Sequence, residues 1–460
     1  MCNTKYKALT DLKPTDEKRD ETRTIITPVA DGYWINPYPF HTDSQFPDII
    51  AYGLGVDGGP STIKFFTNPL NNESPTKEWA VTDIASFTFP VGMSYADFRG
   101  NGLMDFVICD RYGPTIYDLY DENTQDGGRV VYMVNPGKRM GVPYWEQRKI
   151  GNVTGMHRLQ CGRFTREDVN QAFCFPVIKS GGDFWSPAPV VLFDPIYGED
   201  FSQGPQSWTK HIAFDQDFRI IHDLQVVPRS NKGLDTILVA GREGICHLYF
   251  DTDNKAWSYT VIGAGTPKEL GTPQFWGSGS VDYCRIGDDD FGYVVSCEAF
   301  HGNTVAIYLK NDDCAEGTFG FSSFLDTKYW TRHVIDSFGP LDDDSQTGTI
   351  HNVRKLPLIA DVEPFAVACM GEPLDKPENQ GVYMYVPVDI KKAEFKKIKI
   401  HGESSARMAL GCYSIQASWT LPRSGNANSS YYVPGYHVGP DPSQVRISHI
   451  GSTKSLLGIH

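Results

Sequence analysis

A short pattern that opens with an aromatic residue and closes with isoleucine recurs along the chain and limits what the chain can fold into. Full copies begin at Trp79, Trp145, Trp257, Trp330 and Phe395, and a copy one residue shorter begins at Trp208. Apolar and polar residues alternate within each copy, which predicts a half-exposed β-strand at the outer edge of a sheet. The chain is therefore expected to contain several similar sheets.

A second pattern, an uninterrupted apolar run that leads into a loop, accompanies the first. Its copies are residues 48–53, 105–110, 236–241, 293–298 and 365–370. Continuous apolar runs predict strands that are buried on both faces. A turn opens each unit near His41, Met93, His157, His222, Ser280, His351 and Arg407. Seven such units, with no long stretch of helical periodicity, predict an all-β, seven-bladed β-propeller.

The two ends of the chain complete this scheme. Residues 407–450 lack the aromatic outer strand, whereas residues 24–34 include a β-rich segment. We therefore expect the N-terminal segment to close the last blade and to hide both sheet edges. Residues 1–23 are expected to form a flexible tail, and residues 24–460 a single propeller domain. A double jelly roll or two β-sandwiches would not explain units in this order.

Composition excludes several classes of partner and location. The net charge of −14 argues against nucleic acid, and no apolar run is long enough to cross a membrane. The first 23 residues are polar and lack a signal-peptide core, so we expect a cytoplasmic protein. Cys161 and Cys174 have the same separation as Cys284 and Cys297, as expected for buried thiols at equivalent positions of two units.

Four histidines are expected to meet at one mouth of the central channel. His157, His222 and His351 open innermost strands, and His301 follows a buried strand in a loop that returns to the same face. Three neutral imidazoles with an open position are the ligands of a catalytic Zn²⁺, and they would also suit Mn²⁺ or Fe²⁺. We predict His157, His222 and His351 as ligands and His301 as a fourth ligand or a base. The alternative is that one or two of them only bind loop backbone.

Other polar side chains are expected at the same mouth. They are Tyr95, Asp97, Asp110, Tyr112, Arg242, Glu243, Glu298, Glu372 and Tyr413. Arg242 and Glu298 are favoured because they end buried strands, and with His301, Tyr95 and Tyr112 they form the predicted catalytic set. Residues 97–105 resemble the calcium loop of integrin-like (FG-GAP) propellers. They offer too few oxygen ligands for calcium, so a turn without metal is expected.

Four stretches of the chain resemble a known enzyme family. They are DGYW at residues 31–34, GMHRL at 155–159, EAFHGNT at 298–304 and WTRHV at 330–334. In this order they resemble the fungal aldos-2-ulose dehydratase/isomerase family, also called 1,5-anhydro-D-fructose dehydratase, from about residue 24 to residue 436. The resemblance implies a seven-bladed propeller with a catalytic zinc ion that assists dehydration of a 2-keto sugar.

The chain also departs from that family at three places. Ser94 stands where a histidine is expected, and residues 354–363 replace an acidic ion-binding loop. Because the chain ends at His460, we expect the cupin and lectin parts, and with them the isomerase step, to be absent.

The leading hypothesis is a zinc-dependent hydro-lyase acting on 1,5-anhydro-D-fructose or an aldos-2-ulose. A metal-bound C2 carbonyl would acidify the C3 proton, a base would take that proton, and the C4 hydroxyl would leave. One alternative is a metal-dependent polysaccharide or uronate lyase, with Arg158, Arg242 and Arg407 holding carboxylates. Another is a non-catalytic sugar-binding propeller, which would spread its sites around the blades.

Overall fold

A computed structural model describes most of the chain. The described residues are 23–29, 34–44, 46–55, 60–71, 79–112, 127–179, 184–228, 233–268, 276–311, 329–339, 350–356, 361–369, 379, 381–401, 416–418, 429–434 and 443–450. They form β-strands and two described 3₁₀ turns, Phe201–Gln203 and Ile390–Lys392. In this part of the chain, no helix has the length and apolar character needed to cross a membrane.

The strands form seven antiparallel sheets of four strands each. The first sheet contains β2 (Trp34–Tyr38), β3 (Asp48–Tyr52), β4 (Ser61–Thr67) and β5 (Ala80–Phe87). The second contains β6 (Gly92–Ala96), β7 (Asp105–Asp110), β8 (Arg129–Met133) and β9 (Gln147–Asn152). The third contains β10 (Met156–Gly162), β11 (Gln171–Pro176), β12 (Val190–Tyr197) and β13 (Pro205–Phe214).

The fourth sheet contains β14 (Asp223–Val227), β15 (Thr236–Gly241), β16 (Gly244–Asp251) and β17 (Ala256–Gly263). The fifth contains β18 (Ser280–Ile286), β19 (Asp289–Glu298), β20 (Thr304–Lys310) and β21 (Trp330–Ser337). The sixth contains β22 (Ile350–Lys355), β23 (Phe365–Cys369), β24 (Gly381–Asp389) and β25 (Glu394–His401). The remaining sheet contains β26 (Gln416–Ser418), β27 (Ser429–Pro434), β28 (Ser443–Ile450) and β1 (Arg23–Val29).

The first strands of the sheets surround a central cavity. Six of them, β2, β6, β10, β14, β18 and β22, contribute its lining, and the cavity volume is about 490 Å³. First strands of consecutive sheets also contact one another along the chain, from β6 through β10, β14, β18 and β22. The prediction of an all-β β-propeller is confirmed.

The burial of the second strands follows the sequence pattern, whereas that of the last strands follows it only in part. β3, β7, β11, β15 and β23 are buried along their whole length, as expected for second strands covered on both faces. The last strands β5, β13 and β21 are partly exposed, but β13 is buried only at its two ends and β21 only at its first residue, without the predicted alternation. The aromatic residue that opens an outer strand packs against the preceding sheet: Trp145, only 3% exposed, contacts the rings of Tyr38 and Phe65.

The N-terminal segment pairs where the sequence predicts, with a shift in its boundary. β1 lies antiparallel to β28, with Arg23 opposite Ser448 and Val29 opposite Ser443. Trp34 does not belong to this strand, because it begins β2, the first strand of another sheet. The predicted tail before Arg23, and the turn at Arg407, lie outside the described residues.

The loop that resembles a calcium site is held by an arginine. Arg99 donates from Nε and Nη2 to the Asp105 carboxylate at 3.1 and 2.8 Å, and Asp97 accepts backbone N–H groups of the same turn. The seven described cysteines are free thiols, and all but Cys161 are buried. Cys161 and Cys174 lie on the first and second strands of one sheet, as Cys284 and Cys297 do in another.

Candidate metal centre

Two of the four histidines are placed by β-bulges at the start of first strands. The register of β10 against β11 shifts between Met156 and Arg158, and that of β22 against β23 shifts between Ile350 and Asn352. His157 and His351 are therefore the extra residues of equivalent bulges. A bulge redirects a side chain relative to the regular alternation of a strand, so both imidazoles face the axis. The residues that follow them, Arg158 and Asn352, are also buried.

The other two histidines come from loops at the same face. His222 directly precedes β14, and His301 lies between β19 and β20. His301 has a left-handed backbone conformation with φ of 46°, which is uncommon outside glycine and is often found at functional sites. All four predicted histidines are thus brought together at one end of the central cavity.

Three of these histidines form a cluster with the geometry of a metal site. The ligand nitrogens of His222, His301 and His351 lie within 4.8 Å of one another. The Nε2 atoms of His222 and His301 are 3.3 Å apart. Two imidazole nitrogens bound to a tetrahedral zinc ion at about 2.0–2.1 Å would lie about 3.3–3.4 Å apart. The His222–His301 pair therefore has the spacing of two nitrogen ligands of one zinc ion, and His351 lies close enough to complete a group of three.

A hydrogen bond to the backbone fixes the orientation of the His222 ring. Its Nδ1 donates to the backbone oxygen of Gly279 at 2.7 Å, so its Nε2 carries the lone pair that faces His301. A metal-binding histidine usually donates its other ring N–H to a carbonyl or carboxylate oxygen in this way. Gly279 is required at this point, because a Cβ atom there would lie 2.4 Å from the oxygen of Ala299.

Two imidazoles of the cluster, those of His222 and His301, are held neutral. Burial lowers the pKa of His222 well below its ordinary value, with smaller contributions from His351 and His301. Burial, and next the charge of Arg158, lower the pKa of His301 to about 3. Neutral imidazoles keep the lone pairs that bind metal ions at neutral pH.

His157 lies beside the cluster rather than in it. Its ring stacks on that of His222 with centroids 5.4 Å apart. Arg158 Nη1 lies 3.1 Å from His157 Nε2, and a guanidinium can only donate, so this nitrogen is an acceptor already in use. The geometry thus favours His301 over His157 as the third nitrogen ligand, which differs from the predicted division of roles.

Arg158 is the functional candidate that the predicted catalytic set missed. Its guanidinium is buried, stacks over the Trp34 ring at 4.8 Å and donates to the backbone oxygens of Val91 and His157. Burial, and next the charge of Arg158, lower the pKa of His157. The sequence signal was its place directly after His157, and the sequence analysis named Arg158 only as a cation for the alternative uronate lyase.

Two predicted tyrosines lie at different depths. The ring of Tyr112 is 5.1 Å from that of His157, so this side chain belongs to the mouth. Tyr95 lines the central cavity from β6, further along the axis. Burial raises the pKa of Tyr95 to about 12, and Ser94 beside it bonds Gln160 and the N–H of Cys161.

The carboxylate of Glu298 is not placed with the histidines. It is buried, pairs with Arg332 at 2.6 Å and accepts the hydroxyl of Tyr308 at 2.6 Å. These partners lie on β21 and β20 of its own sheet, so Glu298 ties the strands of that sheet together. The predicted catalytic role finds no support in these contacts.

Arg242 contacts two tryptophans rather than the histidines. Its guanidinium packs on the rings of Trp185 and Trp276, at 4.4 and 4.3 Å, and Nη1 donates to the backbone oxygen of Phe184 at 2.6 Å. Trp185 lies in the loop between β11 and β12 and Trp276 in the loop between β17 and β18, so no local sequence pattern joins them to Arg242.

The remaining candidates have structural partners or cannot be placed. Asp110 pairs with Arg129 at 2.7 Å, and Glu243 pairs with Arg219 at 3.0 Å. Asp97 caps the turn described above. Glu372 and Tyr413 lie outside the described residues. Beneath the histidines, Arg354 pairs with Asp223 at 2.7 Å, so the segment that replaces the expected acidic loop supplies a cation to the cavity wall.

The fold and the site define the class: an all-β propeller that gathers buried histidines at one end of its central cavity. Residues 127–311 match the family model of the aldos-2-ulose dehydratase β-propeller domain. Aldos-2-ulose dehydratase of Phanerodontia chrysosporium is 37% identical over 424 residues, which cover 90% of this chain and 44% of that protein. The chain belongs to the family of this propeller domain, and it spans less than half the length of that relative.

Solved structures add little to this assignment. The core factor of S. cerevisiae matches with a TM-score of 0.43 at 10% identity, over 95% of this chain and 62% of that one. An α-L-arabinofuranosidase of Fusarium graminearum matches with a TM-score of 0.40 at 11% identity, over 78% of this chain and 92% of that one. Likenesses this weak support no functional inference.

Proposed function

We propose that this chain is a metal-dependent hydro-lyase that dehydrates a 2-keto sugar such as 1,5-anhydro-D-fructose or an aldos-2-ulose. The observation that carries the proposal is the cluster of His222, His301 and His351, with two Nε2 atoms 3.3 Å apart. The similarity of the chain to the aldos-2-ulose dehydratase propeller family points to the substrate class. The reaction would be a β-elimination that removes the C3 proton and the C4 hydroxyl.

The three histidines would hold Zn²⁺, and Mn²⁺ or Fe²⁺ are the alternatives that the same ligands allow. When bound, such an ion supplies Lewis-acid polarisation of a carbonyl oxygen, which makes the neighbouring C–H more acidic. His222 and His301 contribute by staying neutral, and Gly279 contributes by holding the His222 ring in the tautomer that leaves Nε2 unprotonated.

Arg158 is proposed to stabilise the negative charge that develops on the substrate. It is a buried cation in contact with His157, and its charge already lowers the pKa of His157 and His301. A fixed positive charge in a site of low dielectric constant stabilises a developing enolate without reorganisation.

His157 and Tyr112 are the groups to which we assign proton transfer. Their rings lie 5.1 Å apart, next to His222. Because Arg158 donates to Nε2 of His157, this ring would hold its proton at Nδ1 and present an N–H to a substrate oxygen. The Tyr112 hydroxyl, which both accepts and donates, would accept the C3 proton and give its own proton to the C4 hydroxyl, which leaves as water. His301, once assigned to the metal, is no longer available as the base.

At the level of the fold, we propose that the seven sheets are the seven blades of one ring. In this proposal residues 24–460 are a single domain, and β1 is the outer strand of the last blade. The contacts of β26 with both β2 and β22 support closure of the ring.

A uronate lyase is the less favoured alternative. It needs cations free to hold carboxylates at the mouth. Arg242 packs on two tryptophans, and Arg158, whose charge acts through space, already donates its N–H groups to two backbone oxygens and so cannot also bind a carboxylate in a bidentate way. Arg407 lies outside the described residues. A neutral keto sugar therefore suits the site better.

The His222→Ala variant tests the proposed function. Loss of one ligand and its Gly279 bond should abolish bound zinc, and dehydration should fall by about a thousandfold or more, since the metal contributes several kcal/mol. Zinc content is measured by elemental analysis, and the product by near-ultraviolet absorbance of the unsaturated ketone formed from 1,5-anhydro-D-fructose. The exposed His211, on β13, is the matched control as His211→Ala.

Two results would contradict the proposal in different ways. If the chelated protein eliminated water as fast as the zinc-loaded protein, the metal would have no role. If zinc bound but no 2-keto sugar reacted, the substrate assignment would be wrong, and a uronate assay would be the next step.

A further inference from the structure

Trp185 stands out among the aromatic side chains at the face that carries the histidines. Of the tryptophans that the structure describes, it is the only exposed one, with 55% of its surface accessible. A large indole left in water costs free energy, so exposed aromatic surface often marks a binding site.

The indole of Trp185 is held rigidly. The buried Arg242 guanidinium packs on it at 4.4 Å and on Trp276 at 4.3 Å, and the two indoles are 5.6 Å apart. Arg219 Nε donates to the backbone oxygen of Trp185 at 2.9 Å. Lys268 lies over the Trp276 ring at 5.3 Å. A ring fixed in this way loses little entropy when a ligand stacks on it.

The loop that carries Trp276 packs closely against the backbone of a neighbouring turn. Gly277 contacts the backbone of Gly241 and Arg242, and a Cβ atom at Gly277 would lie 2.4 Å from the oxygens of both residues. This packing seats the loop on the turn between β15 and β16 and sets Trp276 against Arg242.

The tryptophan pair lies at the same face as the metal centre. Trp276 precedes Gly279 by three residues, a span of at most about 11 Å, and the oxygen of Gly279 accepts Nδ1 of His222. Trp185 lies between β11 and β12, the connection that corresponds to the loop of His301 in its own sheet.

We propose that Trp185 and Trp276, both packed on Arg242, form a second carbohydrate site that stacks a neutral pyranose ring near the metal centre. The C–H groups on one face of a pyranose are a weakly polarised, apolar surface that packs on an indole. A neutral sugar is favoured because Arg242 is only 5% exposed and already donates to Phe184, while Arg219 pairs with Glu243. The site would hold a sugar ring without transforming it.

Binding is tested in the metal-free His222→Ala protein, so that the outcome does not depend on the proposed dehydration. The probe is methyl α-D-glucopyranoside, which has no carbonyl to eliminate from. Saturation-transfer NMR with irradiation of the aromatic protons should show a saturable contact with the sugar C–H groups. In that background, Trp185→Ala and Trp276→Ala should each weaken binding about tenfold or more, as expected for loss of a stacked ring.

Controls separate stacking from general damage. Trp185→Phe should keep part of the affinity, and it serves as the informative variant if Trp185→Ala fails to fold. Phe201→Ala removes another exposed aromatic ring, between β12 and β13, and should leave binding unchanged.

Three results would overturn the inference. The first is wild-type affinity in both tryptophan variants. The second is sugar binding that requires the metal and vanishes in His222→Ala. The third is a preference of about tenfold or more for methyl α-D-glucuronide, which would assign the site to an acidic sugar.

Discussion

At the residue scale, the buried imidazoles make the protein sensitive to acid. An ordinary histidine takes a proton near pH 6.5, whereas burial and Arg158 lower the pKa of His301 to about 3. Between these two values the unfolded chain binds more protons at this position than the folded chain does. The free energy of unfolding therefore rises with pH across this window and is lost as the pH falls from about 6.5 towards 3.

The His301→Gln variant isolates this contribution. In metal-free protein, lowering the pH from about 7 to about 5 should destabilise the wild type more than the variant, by roughly 1–2 kcal/mol. Urea unfolding at the two pH values measures the difference. His211→Gln, which removes an exposed histidine, should follow the wild type. An equal loss of stability in the wild type and His301→Gln would show that His301 titrates normally.

The sequence predicted which four histidines lie together, but not which three of them form the cluster. The turn pattern is shared by His157, His222 and His351, so the sequence grouped these three. Two bulges and the left-handed conformation of His301 decide the actual cluster, and neither leaves a signal in one sequence. Arg158, adjacent to His157, competes for its Nε2, a contact that only coordinates reveal.

At the element scale, outer-strand tryptophans differ in how deeply they pack between sheets. Trp145 is 3% exposed and contacts four aromatic rings of its own sheet and the preceding one, Tyr38, Phe40, Phe65 and Phe106. Trp208 occupies the corresponding place one sheet later but is half-buried, against Phe98 and Tyr132. One sequence pattern thus produces two degrees of burial.

Alanine substitution should separate the two positions. Trp145→Ala should cost about 3–5 kcal/mol through the cavity it leaves, whereas Trp208→Ala should cost roughly 1–2 kcal/mol from lost apolar area alone. Chemical denaturation measures both free energies of unfolding. Equal costs would mean that the sheets relax to fill the space beside Trp145.

The repeat patterns predicted the strands because the second strand of each unit is buried on both faces and the last strand is partly exposed. They could not predict the partners of Arg242 and Glu298, whose positions at strand ends look alike in sequence. Long-range packing places one side chain against two tryptophans and the other in an ion pair with Arg332.

At the scale of the whole molecule, the two ends of the chain meet in one sheet. β1 pairs with β28 along its length, and β28 in turn pairs with β27. Without β1, the outer edge of β28 would present unpaired N–H and C=O groups to solvent. Such an edge is a template for pairing with a second molecule.

Two N-terminal deletions test this role. Removal of residues 2–22 should leave the melting temperature unchanged, because the deletion stops before β1. Removal of residues 2–29 should lower the melting temperature and promote aggregation, measured by static light scattering during heating. Zinc content should be the same in both, since His222, His301 and His351 lie on or next to strands of other sheets. If the longer deletion melted and scattered light like the shorter one, β1 would not protect the edge of β28, and the ring would be closed by β26 to β28 alone.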